Sequence, residues 1–327
     1  MSSLVNILPQ DSRPVKELVV ISGKGGTGKT SIAASFAALA TNAVLADCDV
    51  DAADMHLLAA PRIVRRESFT GGKRARIASN LCTACGQCEE LCHFDAIHLS
   101  GPGNIGFTAT FQVDPIACEG CGVCAWFCPS RAISLSPVVN GEWFVSDTRF
   151  GPMVHARLGV AEENSGKLVS LVRTTAKQLA EERRLDLVII DGSPGIGCPV
   201  IASITGADKA LVVTEPTLSG LHDMERVAQL TRHFGIPAAV CVNKWDLNPK
   251  LSDVIEAKAL QLGMSVAGRV RYDRSVTEAQ VQGKTIVEYR QDASAADIRE
   301  VWQKLNVLHA GSDGKPVTPC IAGSAYL

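Results

Sequence analysis

Two stretches of this chain repeat one another, and they restrict how the middle of the molecule can fold. Residues 82–100 read CTACGQCEELCHFDAIHLS and residues 118–136 read CEGCGVCAWFCPSRAISLS. Each run spaces its cysteines Cys-x2-Cys-x2-Cys-x3-Cys and ends on an Ala-Ile pair. Eight of the twelve cysteines are committed in this way, which suits thiolates converging on an iron–sulfur cube. Structural zinc does not need four cysteines in every run. The stretch has few large apolar side chains, so without bound metal it is expected to bury too little surface to stay folded.

The repeat interrupts a different rhythm. Glu17-Leu18-Val19-Val20-Ile21-Ser22 is a short apolar run that ends at Gly23-Lys24-Gly25-Gly26-Thr27-Gly28-Lys29-Thr30, and an Ala-rich helix follows to about Ala40. Ala43–Ala46 then reads as a second buried strand that ends at Asp47-Cys48-Asp49. Leu187–Ile190, Ala210–Val213 and Ala239–Val242 fit further sheet strands, and helices are expected at 166–184, 219–234, 250–262 and 294–308. This is the pattern of a doubly wound, mostly parallel α/β sheet. Between about 61 and 150 it stops. The simplest arrangement is a discontinuous α/β domain, 1–60 and 140–310, with a small α+β module at 61–139 and a Gly/Pro/Ser-rich tail at 311–327.

The glycine-rich loop satisfies the phosphate-binding pattern G-x-x-x-x-G-K-[ST] between a strand and a helix. Its glycines let successive N–H groups face phosphates, and the helix N-terminus adds its positive end. Lys29 reaches the β/γ-phosphates, and the Thr30 hydroxyl is placed to ligate magnesium. The formal charge of −2 gives no support to nucleic-acid binding. No stretch has the apolar length of a membrane span, and the N-terminus does not read as a signal peptide. Many cysteines without a secretion signal point to reduced thiols and the cytoplasm.

Lys24, near the start of the phosphate loop, marks a resemblance to the deviant Walker A ATPases, the superfamily of MinD, ParA, the Mrp-type scaffolds and the nitrogenase iron protein. The resemblance covers about 17–60 and 165–290, and with the insert it extends over nearly the whole chain. It implies a nucleotide-sandwich homodimer in which Lys24 crosses to the partner's nucleotide. It also implies that Asp49 orients the attacking water, Asp47 belongs to the magnesium shell and Asp191 is the Walker B acid. Gly192-Ser193-Pro194-Gly195 resembles switch II, where the Gly195 amide senses the γ-phosphate. Asn243-Lys244-Trp245-Asp246 follows a strand and is expected to face the base. Asn-Lys-x-Asp also reads guanine in many GTPases, but the family favours ATP.

The doubled cysteine run resembles bacterial two-cluster ferredoxins, in which the fourth cysteine of each run serves the other cluster. Carried over, one [4Fe–4S] cluster takes Cys82, Cys85, Cys88 and Cys128, and the second takes Cys118, Cys121, Cys124 and Cys92. Cys92 departs from the pattern in being followed by His93 instead of proline. Cys48 and Cys241 read as packing residues and Cys320 as a bystander. Cys198 has an offset from Asp191 similar to that of a subunit-bridging cysteine in the nitrogenase iron protein, but its companion is missing. Arg157 and Lys167 stand out without a role.

Together these features predict an ATP-hydrolysing homodimer that couples nucleotide turnover to electron transfer through two [4Fe–4S] clusters, with a redox or iron–sulfur acceptor protein as partner. The alternatives are an ATP-dependent cluster carrier of the Mrp type and a redox-sensing regulatory ATPase of the MinD/ParA type.

Overall fold

The structure, a computed structural model, describes residues 14–159 and 165–305. Its first strand, β1 (Lys16–Ser22), is buried from its second residue on and delivers the chain to the phosphate loop. Helix α1 (Lys29–Leu39) begins there, and β2 (Ala43–Asp47) and the short α2 (Met55–Ala59) follow. A mostly extended region comes next: β3 (Arg62–Phe69), β4 (Gly72–Ile77), α3 (Gln87–Glu90), β5 (Ile97–Asn104) and β6 (Phe107–Val113). It continues with α4 (Val123–Trp126), β7 (Ile133–Val138), β8 (Gly141–Thr148) and β9 (Gly151–Leu158). The alternating rhythm then resumes with α5 (Ser165–Arg183), β10 (Leu187–Pro194), α6 (Cys198–Ile204), β11 (Lys209–Thr214), α7 (Leu218–His233) and β12 (Ala238–Asn243). Helix α8 (Pro249–Gln261), β13 (Ser265–Val270), α9 (Ser275–Val281), α10 (Ile286–Tyr289) and α11 (Ser294–Leu305) complete the described chain.

Nine strands form one sheet in the order β13-β12-β11-β1-β10-β2-β9-β8-β3. The strands from β13 to β9 run parallel, whereas β8 and β3 are antiparallel additions at one edge. Strands buried on both faces are near-continuously apolar, as parallel sheets require. One apolar core joins the sheet to α5, α6, α7 and α8, and the other joins it to α1, α9, α10 and α11. Helices on both faces make the fold a doubly wound α/β sheet. The expected helices form within about two residues of their limits, and the last three positions of 294–308 lie outside the described residues. So do Cys320 and the 311–327 tail.

The inserted module is smaller than the sequence suggested. Arg62–Phe69, expected to open it, pairs with β8 as the edge strand of the large sheet. A run of exposed residues concealed that role, because an edge strand needs no continuous apolar face. The register of β3 shifts around Val64, and Arg62, Arg65 and Arg66 project from it, two devices that discourage pairing with other chains. The module itself is two small antiparallel pairs, β4 with β7 and β5 with β6, around the cysteine runs. Its buried apolar cluster contains Ala75, Ile97, Phe111, Ala132 and Ile133 together with Cys82, Cys88 and Cys124. Cysteine therefore replaces much of the usual aliphatic core.

Candidate nucleotide and cysteine sites

The phosphate loop leaves β1 at the carboxyl edge of the sheet, where doubly wound folds bind ligands. Gly28 caps α1 at φ 88°, and a Cβ there would meet the Asn243 side-chain nitrogen at 2.4 Å. Asn243 donates from that nitrogen to the Thr27 carbonyl at 2.7 Å, so the end of β12 braces the loop. A cavity of about 570 Å³ opens in front of it, walled by Gly25, Gly26, Gly28, Lys29, Thr30 and Asp49, and further by Pro194, Asn243 and Tyr272. A larger, shallower groove of about 1010 Å³ lies between α5 and α6 and contains no residue of the phosphate loop.

Lys29 stands at the centre of the site. Its Nζ lies 3.0 Å from Asp49 Oδ2 and 3.0 Å from Asp191 Oδ1, and 3.4 Å from Thr30 Oγ1. Burial works to lower its pKa, but the two carboxylates outweigh burial and hold the ammonium above its ordinary range. Asp47 is fully buried, and its carboxyl is pushed well up by burial and by Asp191. Its Oδ1 accepts from the Asp49 amide at 3.2 Å. Three buried oxygens beside the loop, Asp47 Oδ2, Asp191 Oδ2 and Thr27 Oγ1, have no hydrogen-bond partner among the described residues. Unpartnered buried acceptors are costly, and this donor set fits a hydrated divalent cation with its phosphates.

The switch segments are wired to each other. Ser193 Oγ donates to the Cys48 carbonyl at 2.7 Å, and the Cys48 amide donates to the Asp191 carbonyl at 2.8 Å. The sequence places Ser193 in the switch II segment but gives it no role of its own. The Gly195 amide donates to the Ser22 carbonyl at 2.8 Å, so it reaches a phosphate only by exchanging that bond. Gly23 packs on α7, where a Cβ would come within 2.3 Å of the Asp223 Cβ. Lys24 folds back over the start of α7, with its Nζ 3.2 Å from Ser219 Oγ and 3.8 Å from Glu215.

Asp246 is a correction. It is exposed and outside the cavity wall, and its Oδ1 accepts from the Tyr272 amide at 2.7 Å. It therefore fixes the Arg271–Asp273 loop, which itself lines the cavity. The single turn at Trp245–Leu247, entered through a left-handed Lys244 at φ 58°, directs the Asp246 carboxylate onto the Tyr272 amide.

The eight repeat cysteines gather in two groups that exchange members between runs. Cys82, Cys85 and Cys88 share one pocket with Cys128. Cys118, Cys121 and Cys124 share the other with Cys92. The repeat is also visible in the backbone. Ala84 and Gly120 take φ 49° and 64°, Gly86 and Gly122 take 83° and 85°, and Asp95 and Arg131 take 49° and 52°. The Ala96 amide donates to Cys92 Sγ at 3.4 Å, and the Ala132 amide to Cys128 Sγ at 3.3 Å. Burial raises the Cys128 thiol, but hydrogen bonds from Ser130 and the Ala132 amide outweigh it, and the net shift is downward. Among the described residues no group of three or more His, Cys, Asp or Glu side chains is arranged to hold a metal ion.

The other cysteines do different work. Cys48 and Cys241 are fully buried, and burial pushes the Cys241 thiol up to about 12, as for packing residues. Cys198 is exposed at the first position of α6. His93 is exposed and outside the second cysteine pocket, although Cys92 and Phe94 line it. No helix among the described residues is long and apolar enough to cross a membrane.

Comparison with known proteins agrees with this geometry. A family profile described as the CobQ/CobB/MinD/ParA nucleotide-binding domain matches residues 18–286. An uncharacterized protein of Methanocaldococcus jannaschii is 33% identical over 72% of this chain and 80% of its own. An uncharacterized ATP-binding protein of the same organism is 31% identical over 39% of this chain and 51% of its own. Among solved structures, the septum site-determining protein MinD complexed with Mg-ADP from Pyrococcus horikoshii superposes with a TM-score of 0.54 at 14% identity, covering 90% of this chain and 98% of that one.

Proposed function

Because this chain belongs to the CobQ/CobB/MinD/ParA nucleotide-binding family as a P-loop ATPase, we propose that it couples ATP turnover to electron transfer through two [4Fe–4S] clusters. The observation that carries this reading is the exchange of Cys92 and Cys128 between the two cysteine pockets. A separate zinc site in each run has no need of that exchange. Cys82, Cys85, Cys88 and Cys128 would hold one cluster, and Cys118, Cys121, Cys124 and Cys92 the other. Such clusters supply one-electron transfer when bound.

The ATP side follows from residues already placed. Lys29 exchanges Asp49 and Asp191 for phosphate oxygens, which frees both carboxylates. Thr30 and Asp47 would hold magnesium, and Asp49 is positioned to orient water. Lys24 would leave Ser219 to reach the nucleotide of a second copy, which makes the working unit a homodimer. The full complement of four thiolates for each pocket favours resident clusters over clusters carried as cargo.

The direct test is metal content. Anaerobically purified protein is expected to hold about eight iron and eight acid-labile sulfide per chain. Stoichiometric zinc with no sulfide would exclude the proposal.

A further inference from the structure

The two halves of the molecule meet at a narrow neck, where the chain leaves the large sheet after Phe69 and returns at Gly141. Asn140 clamps it. Its side-chain oxygen accepts from the Gly71 and Gly72 amides, each at 3.0 Å, and its backbone bonds to Phe69 and Gly159. A contact reaches it from outside this clamp: Lys167, at the start of α5, donates from Nζ to the Gly71 carbonyl at 3.0 Å.

Helix α5 connects in turn to the nucleotide site. Arg173 donates to the Ala202 and Thr205 carbonyls of α6 at 2.9 and 2.6 Å, and pairs with the buried Glu17 of β1. A Cβ on Gly166 would lie 3.2 Å from the Cys198 Cβ, so the starts of the two helices touch. Helix α6 begins three residues after Gly195. A change at Gly195 that shifts α6 therefore shifts α5, and with it Lys167.

On the far side of the neck β4 reaches both cysteine groups, with Ile77 lining the first pocket and Ala75 the second, but a backbone contact too close for any Cβ joins it to the second. Gly120, in the Cys118–Cys121 loop, packs so closely on β4 that a Cβ would stand 1.9 Å from the Lys73 carbonyl. The repeat supplies an internal control. Ala84 occupies the equivalent position with the same left-handed backbone, so it is the contact with Lys73, not the backbone conformation, that demands glycine at 120.

We infer that Lys167 is a positioning residue that ties the nucleotide switch to the second cysteine group, Cys118, Cys121, Cys124 and Cys92, through Gly71, Lys73 and Gly120. The inference rests on the proposed function for its purpose, but its test reads the protein backbone. Hydrogen exchange on the anaerobically purified full chain, with and without a non-hydrolysable ATP analogue and magnesium, is compared for the parent, Lys167→Met and Lys167→Arg. In the parent the nucleotide is expected to change exchange across 71–75 and 118–124 by about fivefold or more, the range of ordinary coupling energies, with little change across 82–88. Lys167→Met is expected to abolish the response at 118–124 while nucleotide affinity stays within about twofold, because Lys167 is an exposed side chain, and Lys167→Arg is expected to restore it. Gly120→Ala is expected to remove the same response while leaving that at 71–75. A response at 118–124 that survives Lys167→Met, or an equal response at 82–88, would overturn the inference. Iron and sulfide counted on the same samples separate the two claims, since their absence defeats the cluster proposal and leaves the exchange comparison to be scored on its own.

Discussion

Lys29 and Lys24 lie in one loop and carry the same charge, yet their surroundings assign them different tasks. Lys29 is buried between Asp49 and Asp191, so replacing it with alanine leaves two carboxylates without their cation at the phosphate site. Lys29→Ala is expected to weaken ATP binding at least tenfold, about 1.4 kcal/mol. Lys24 is half-exposed against Ser219, and Lys24→Ala is expected to spare monomer binding but suppress ATP-dependent dimerisation and turnover. Titration calorimetry with analytical ultracentrifugation distinguishes the two, and a Lys24→Ala protein that turns over like the parent would remove the sandwich dimer. His155 gives a pH prediction of definite sign. Burial and then the charge of His56 lower its pKa from 6.5 to about 4, while its ring stacks on Phe144 and bonds Ser146. The unfolded chain takes up the proton first as pH falls. The associated stability is therefore complete above about pH 6.5 and is lost progressively toward pH 4, by on the order of 2 kcal/mol after allowance for partial solvent access. His155→Gln should flatten denaturant midpoints across that window; an unchanged pH slope would show that His155 is not the group responsible.

At the scale of elements, the phosphate loop and the parallel strands were legible because each residue there has little latitude. A glycine at φ 88° before a buried lysine, and strands apolar on both faces, write themselves into sequence. The antiparallel edge was not legible. Strand β3 is exposed along most of its length, so it carries neither an alternating nor a continuous apolar signal. Asp246 was misread for a related reason: its motif fits, but the Tyr272 amide that holds its side chain lies 26 residues further along the chain. The neck residues Asn140 and Lys167 act by accepting from, or donating to, backbone atoms, and such contacts leave no motif. The exchange of cysteines between runs makes the sharpest element-level prediction. Cys85→Ser and Cys128→Ser line the same pocket, so each is expected to remove about half the iron, and the double variant no more than either alone. Cys85→Ser combined with Cys92→Ser, which lie in one run but in different pockets, is expected to remove nearly all of it. The opposite pattern would mean that each run binds its own metal.

For the molecule as a whole, the arrangement places the cysteine module on the carboxyl side of β2 and β9, the end of the sheet where the phosphate loop and both switches lie. Asp49 and Gly195 lie at that same end, where β2 and β10 finish. Coupling between binding equilibria is reciprocal: if nucleotide changes the reduction potential of a bound cluster, reduction must change nucleotide affinity by the same free energy. The measurement that addresses this most directly is the midpoint potential of the anaerobic protein with and without a non-hydrolysable ATP analogue, followed by electron paramagnetic resonance. Nucleotide is expected to displace one midpoint by tens of millivolts, with about 60 mV for one electron corresponding to a tenfold change in ATP affinity between oxidised and reduced protein. Identical midpoints in the two conditions, together with equal ATP affinity in both redox states, would contradict it.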